Sequence, residues 1–398
     1  MCISGCRADI VYVVLNTRVS LLHTTAISMS TTETITTTKA VQAAKISLGV
    51  PSQHKPRTTP DQEELNGTNG YPAALFPQYL PVWESPQAKY PPLEPFDYVE
   101  HALGANKGFP DLLCAGSKLQ NITAAMGAEV TGVQLSRLSD QGKDQLALLV
   151  AQKKLVVFHD QDFASLPIGQ SVDFCRYFGR LFLHPHSGAP KDHPEIHIVH
   201  RRAGNTIASD YFKSHTHSMA WHSDNTYEVQ PPGITFLYAL EVPEDGGDTI
   251  FTDTEKAFER LSPAFQERLR GLKALHTAKD QAARAQANDG YVRRDPIDTL
   301  HPVVRTHPAT GKKAIFVNPQ FTRQIVDFKK EESDIILKFL YDHMTSSHDL
   351  QCRVKWKAGA VVVFDNRNTI HSAITDWTDG RRRHIGRITP AAERPYEE

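Results

Sequence analysis

Residues 358–371 read AGAVVVFDNRNTIH, and they decide the fold class. Gly359 turns the chain, and Ala360 to Phe364 form an apolar run short enough for a buried strand. Asp365 to Asn368 then make a polar turn, with His371 just beyond it. Outward from this stretch lie further strand candidates of similar length: GITFLYAL, DTIFTD, KAIFVN, RVKWKAGAVVVFDN and RRHIGRITP, with GAEVTGVQL and LVVFHD upstream. Helical patterning is confined to a few places. SRLSDQGKDQLALLVAQKK has Ser139 as N-cap and Leu146, Leu149 and Val150 on one face. TEKAFERLSPAFQERLRGL repeats Phe258, Leu261, Phe265 and Leu269, and KEESDIILKFLYDHM repeats Ile335, Ile336, Phe339 and Leu340. Many short strands with few helices predict a mostly-β barrel or sandwich core carrying helical insertions.

The bulk composition sets limits on function. The chain has 398 residues, 40% apolar and 22% charged, with a formal net charge of -1. Near-neutral, interspersed charge gives no reason to expect nucleic acid or a membrane surface as partner. The apolar stretch DIVYVVLNTRVSLL, broken by Asn16 and Arg18, is shorter than the ~20 residues a membrane span needs. Five scattered cysteines (Cys2, Cys6, Cys114, Cys175, Cys352) include no C-x-x-C pair, which argues against a thiolate zinc site or disulfide framework and for a reducing compartment. The cytosol is the expected location. Residues 1–70 read as a leader and disordered segment, with Met29 as an alternative start. Ten of the 25 prolines fall between Pro51 and Pro95, so residues 71–115 read as an extended arm wrapping the main domain, 116–398.

Chemistry concentrates in MAWHSDNTYE, Met219 to Glu228. On an extended strand His222 and Asp224 point to the same side, one imidazole and one carboxylate for one ion. A third ligand must come from elsewhere, and His371, 149 positions on, is the best placed. Two His and one carboxylate on one face, with open positions left, is the usual ligand set of an iron(II) oxygenase. Arg383 and Arg387, four apart in RRRHIGRI, share a side and could grip anions bidentately. The HPEIH of His193 and His197 is a poor zinc-helix motif, because Glu195 is misplaced and Pro194 opposes a helix interior. His215 and His217 read as loop residues near the pocket, and Trp221 as packing beneath it.

Each piece alone is weak, but their order is specific: WHSD, GGDTIFTD, HPVVRTHPATGKKAIFVN, FDNRNTIH, RRRHIGR. From about Gly127 to Pro390 this closely resembles the taurine dioxygenase (TauD/TfdA) family of iron(II)- and 2-oxoglutarate-dependent oxygenases. The arm and LHPHSGAPKDHPEIHIVHR look most like the fungal sulfonate/2-oxoglutarate dioxygenases. The resemblance implies a double-stranded β-helix (jelly-roll) core. It also implies iron(II) on His222, Asp224 and His371, with 2-oxoglutarate and dioxygen as co-substrates. Arg383 then matches the residue gripping the distal carboxylate of 2-oxoglutarate, and Thr249 the hydroxyl beside it. Arg387 and His184 match donors to the sulfonate of a small anionic substrate. The implied reaction hydroxylates the carbon bearing the sulfonate and releases an aldehyde, sulfite, succinate and CO2. A homo-oligomer would also agree with the resemblance. Two positions depart from the bacterial pattern: Ser187 stands where an aromatic is expected and Ser218 where an amide is expected. They keep open a carboxylate, an aryloxyacetate or a specialised-metabolism substrate under the same cofactors. A non-catalytic anion-binding barrel is the remaining, remote alternative.

Overall fold

The computed structural model describes residues 56–68, 70–84 and 88–398. Strands β1 (Lys118–Asn121), β2 (Ala128–Thr131), β3 (Leu155–Phe158), β4 (Ile196–Arg201) and β5 (Ile234–Glu241) come first along the chain, followed by β6 (Thr249–Asp253). An insertion then contributes β7 (Lys273–Thr277), β8 (Asp298–Pro302), β9 (Val304–Thr306), β10 (Lys313–Ile315) and β11 (Thr322–Ile325). The chain returns through β12 (Gln351–Val354), β13 (Val361–Asp365), β14 (Thr369–Ala373) and β15 (Arg383–Ile388). The large sheet has the order β1-β2-β3-β13-β5-β15-β4, and a small sheet has the order β12-β6-β14. Pairing is antiparallel throughout except between β2 and β3. These two sheets form the jelly-roll core.

The all-apolar strand β13 is explained by cover on both faces. Leu155, Val157, Leu237, Ala239, Val362, Phe364 and Ile385 pack between the sheets with Phe251, Cys352, Val354 and Trp356 of the small-sheet side. The alternate residues Val156, Phe158, Phe236, Tyr238, Val361, Val363 and Ile388 pack outward against Leu146, Leu149 and Val150. These last three lie on the helix Asp140–Lys153, whose Ser139 hydroxyl accepts from the Gly142 N–H at 3.2 Å. A strand buried on both sides loses the polar alternation of a half-exposed one.

The insertion forms its own core around Val304, Ile315, Leu337 and Leu340. TEKAFERLSPAFQERLRGL breaks into two helices, Thr254–Glu259 and Pro263–Leu269, because Pro263 opens the second and Ser262 caps it. Helix Lys330–Ser346 buries Ser333, Leu337, Leu340 and Met344, whereas the expected core residues Ile335 and Phe339 are exposed.

The expected leader lies outside the described residues up to 55. Residues 56–68, placed in the same disordered segment by composition, contain the helix Gln62–Asn66. Its buried Glu64 accepts from Arg382 Nε at 3.0 Å and lies 3.1 Å from His200 Nε2. The Pro-rich stretch lies along the domain: Tyr79, Leu80, Val82 and Trp83 are buried, and Val82 bridges to Ala189. No helix among the described residues is long and apolar enough to cross a membrane.

Candidate metal centre and anion pocket

His222 does not sit in a long strand. It pairs with His371 of β14 through two backbone hydrogen bonds, 2.9 and 2.7 Å, in an isolated bridge. Asp224 follows as the chain turns away, its N–H donating to Asn366 Oδ1 at 2.9 Å, so the FDN turn after β13 fixes its position. Ligand atoms of His222, Asp224 and His371 all lie within 4.8 Å of one another. Nε2 of His222 is 3.6 Å and Nε2 of His371 3.9 Å from Asp224 Oδ1. No other such group of three His, Cys, Asp or Glu occurs among the described residues. HPEIH contributes to none; its second His lies in β4.

Protonation and tautomers suit a metal. His222 Nδ1 lies 2.7 Å from the Ala220 carbonyl, a contact that places the proton on Nδ1 and leaves the Nε2 lone pair free. Burial lowers His222, and burial with help from His222 lowers His371 to about 3, so both imidazoles are neutral at pH 7. Burial alone would raise Asp224, but Arg387, His371 and His222 outweigh it and hold the carboxyl below its ordinary value. Asp224 Oδ2 is buried with no hydrogen-bond partner, an orphan that costs free energy unless a cation meets it. The three side chains therefore fit iron(II).

Arg387 Nη1 donates to Asp224 Oδ1 at 2.5 Å, placing a buried cation directly beside the candidate metal ligands. His184 stands near it and stacks on His197, with ring centroids 4.3 Å apart. His184 Nδ1 accepts from the N–H groups of His186 (3.3 Å) and Ser187 (3.1 Å). Burial, then His197 and Arg387, push His184 well below its usual value, so it is neutral and its proton resides on Nε2, a donor for an anion.

Arg383 lies four residues along the same strand face. Its Nε donates to the Gly247 carbonyl at 2.9 Å, and its guanidinium lies 5.8 Å from the Trp377 ring centroid. Gly247 has φ +69°, and a Cβ there would fall 3.2 Å from Arg383 Cδ, so the second glycine of GGDT cradles the arginine. Thr249 is buried at the start of β6 and accepts from Trp356 Nε1 at 3.1 Å, leaving its own proton to donate.

A cavity of about 400 Å³ is lined by His184, Ser187, Ser218, His222 and Arg383, whereas Asp224, Thr249, His371 and Arg387 are not among its lining residues. Trp83, His197, Arg201 and Trp377 line it too, and none of these was singled out for the pocket from sequence. The signal for His197 and Arg201 was their even spacing in EIHIVHR, which places both on one face of a strand. Trp83 had no local signal, because it arrives from the arm. His215 is exposed and stacked on Tyr211 at 3.9 Å, and His217 is exposed.

Residues 118–389 match the family described as "Taurine catabolism dioxygenase TauD, TfdA family". The chain belongs to this family. A Saccharomyces cerevisiae relative, "Alpha-ketoglutarate-dependent sulfonate dioxygenase", is 45% identical over 81% of this chain and 79% of its own. "Alpha-ketoglutarate-dependent dioxygenase cnsM" of Penicillium expansum is 40% identical over 81% of this chain and 90% of its own. Among solved structures, a taurine dioxygenase from Burkholderia xenovorans superposes with a TM-score of 0.58 at 30% identity, covering 71% of this chain and 93% of that one. The TauD/TfdA chain described here is thus an iron(II)- and 2-oxoglutarate-dependent dioxygenase, using dioxygen as its second co-substrate.

Proposed function

We propose that the enzyme acts on organosulfonates, hydroxylating the carbon that bears the sulfonate. His222, Asp224 and His371 would hold iron(II), with Arg383 and Thr249 at the distal carboxylate of 2-oxoglutarate. The observation that carries the substrate class is the pair Arg387 and His184. A guanidinium 2.5 Å from the carboxylate of Asp224 and a neutral imidazole with a free Nε2–H lie within electrostatic reach of one another beside the proposed metal site. A sulfonate bound there would have its carbon next to the metal. The sulfonate dioxygenase identity of the yeast relative supports the same class.

The bound metal would supply activation of dioxygen coupled to oxidative decarboxylation of 2-oxoglutarate. One oxygen atom goes to succinate and the other to the C–H beside sulfur. The resulting α-hydroxysulfonate loses its O–H proton to water as the C–S bond breaks, giving aldehyde and sulfite. The chain's own share is positional. Arg387 and His184 fix the anion so that one C–H is presented, and the buried walls keep bulk water from competing. The setting we propose is the cytosol, which suits the free thiols Cys114, Cys175 and Cys352.

The test measures succinate and sulfite with iron(II), 2-oxoglutarate and ascorbate across alkyl and aryl sulfonates, sulfate esters and carboxylates. Sulfite matching succinate is expected from at least one sulfonate. Substrate-stimulated succinate with no sulfite from any sulfonate refutes the sulfonate reading. It would favour the second one, a carboxylate or specialised-metabolism substrate, which the small side chains Ser187 and Ser218 on the cavity wall support.

A further inference from the structure

The inner face of β4 and β15 forms a two-rung ladder. Arg383 is the register partner of Arg201 and Arg387 that of His197, with Ile385 opposite Val199 between them. Directly opposed residues of an antiparallel pair share a face, as do residues two and four apart along a strand. Ile385 and Val199 pack into the core between the two sheets, which orients the whole ladder inward. Four residues of strand separate the rungs by roughly 13 Å.

The rungs differ in charge balance. Arg387 has Asp224 as counter-ion. Arg201 and Arg383 have no carboxylate within ion-pair distance among the described residues. The nearest acids to Arg383 are engaged by another residue: Arg353 holds Asp248 at 2.6 Å and Asp376 at 3.2 Å. Both guanidinium groups instead lie against one indole, Arg201 4.4 Å and Arg383 5.8 Å from the Trp377 centroid. Arg201 Nη1 is buried with no hydrogen-bond partner, and Arg201 lines the same cavity as Arg383. Two like charges on one ring, with no acid between them, repel unless an anion joins them.

We infer that Arg201 is a second guanidinium for the distal carboxylate of 2-oxoglutarate, so that Arg201 and Arg383 grip it from adjacent strands. This rests on the assignment of Arg383 to the co-substrate. A carboxylate has four lone-pair sites, enough for two arginines, and the second cation would sharpen selection for a dicarboxylic 2-oxo acid.

The experiment is calorimetric binding to the Mn(II)-loaded full chain, without turnover. The ligands are 2-oxoglutarate and pyruvate, which lacks the distal carboxylate. R201M is expected to weaken 2-oxoglutarate by about ten- to a hundredfold, the effect of one lost charge-assisted hydrogen bond, and to leave pyruvate unchanged. R201K, which keeps the charge and loses the fork, is expected to fall between. Should R201M fail to fold, R201K alone decides: a severalfold loss for 2-oxoglutarate but not pyruvate supports the proposal, and no loss overturns it. R383M separates the two layers of the argument. If R383M weakens 2-oxoglutarate and neither Arg201 variant does, the Arg201 proposal falls and the co-substrate pole stands. If no variant weakens it, both fall. A raised sulfonate KM in R201M with unchanged 2-oxoglutarate binding would also overturn the proposal and assign Arg201 to the primary substrate.

Discussion

Replacing Arg387 with methionine separates its observed role as counter-ion of Asp224 from its proposed role as anchor of the substrate. In the metal-free fold the guanidinium and the carboxylate are 8% and 2% exposed, and Nη1 meets Oδ1 at 2.5 Å. Breaking a buried pair costs about 3–5 kcal/mol, and the lower end applies because the freed Asp224 can escape by taking a proton. A loss of about 3 kcal/mol at roughly 2 cal/mol/K per residue lowers Tm by about 4 °C for a domain of this size. Mn(II), a stand-in for iron that does not turn over, restores a positive charge to Asp224. The deficit should then shrink to about 1 kcal/mol, roughly 1 °C. By linkage the same difference of about 2 kcal/mol means that the variant binds Mn(II) about thirtyfold more tightly than the wild type in the absence of substrate. Thermal unfolding with and without saturating Mn(II), together with a metal titration, measures both sides of the cycle. An equal Tm deficit in the two states, with an unchanged metal Kd, would refute the idea that Arg387 and the metal compete for the same carboxylate.

Two further outcomes concern buried acids away from the metal. Burial would raise Glu64, but His200 and Arg382 hold it at about 2, below its ordinary value, so its contribution is present above about pH 4.5 and is lost as the pH falls towards 2. E64Q should lose up to about 3 kcal/mol at pH 7, and urea midpoints should show the gap narrowing below pH 4.5; a pH-independent gap would sink the assignment. Glu228 is pushed up to about 7 by burial, which Arg294, 3.8 Å away, and Arg180 only partly offset. The fold favours its protonated form, so this stability is present below about pH 4.5 and is lost as the pH climbs through 7. E228Q should therefore gain on the wild type by about 2 kcal/mol between pH 5 and pH 8, read as a widening Tm difference; a constant difference would show that burial is not the cause.

How far the sequence reaches depends on the distance over which each feature is determined. VVVF reads as a buried strand because its register needs only local periodicity and cover on both faces. WHSD reads as half a metal site because i and i+2 suffice to set two ligands side by side, yet its backbone pairing with His371 is purely tertiary. The helix Lys330–Ser346 shows where periodicity misleads. Ile335, Ile336, Phe339 and Leu340 form an i, i+1, i+4, i+5 set, but the buried stripe runs through Ser333, Leu337, Leu340 and Met344, at i, i+4, i+7 and i+11. A serine in the seam and two exposed apolar side chains turn the buried face by roughly 100° about the helix axis from the face the apolar residues suggest. HPEIH superficially matches a helical zinc motif, and that local likeness masks the strand periodicity of EIHIVHR, which places His197 and Arg201 opposite Arg387 and Arg383.

The walls of the pocket are the least local feature of all. Ser187 contributes its N–H to His184 and its carbonyl to Arg293, so an exchange at this position changes the side chain while the backbone still sets the imidazole tautomer. An aromatic surface comes instead from Trp83, about a hundred positions upstream, carried in by the arm and held by a bond from Nε1 to the His186 carbonyl at 3.2 Å. The helix just before the arm is itself tied down by the Glu64–Arg382 pair, one residue before Arg383. Of the proposed metal ligands and anion grips, His371, Arg383 and Arg387 stand on strands and His222 and Asp224 are pinned to the strand ends by backbone bonds, while part of the cavity wall comes from a segment docked by a few buried polar contacts. Substrate preference can therefore diverge through the arm without disturbing the metal centre.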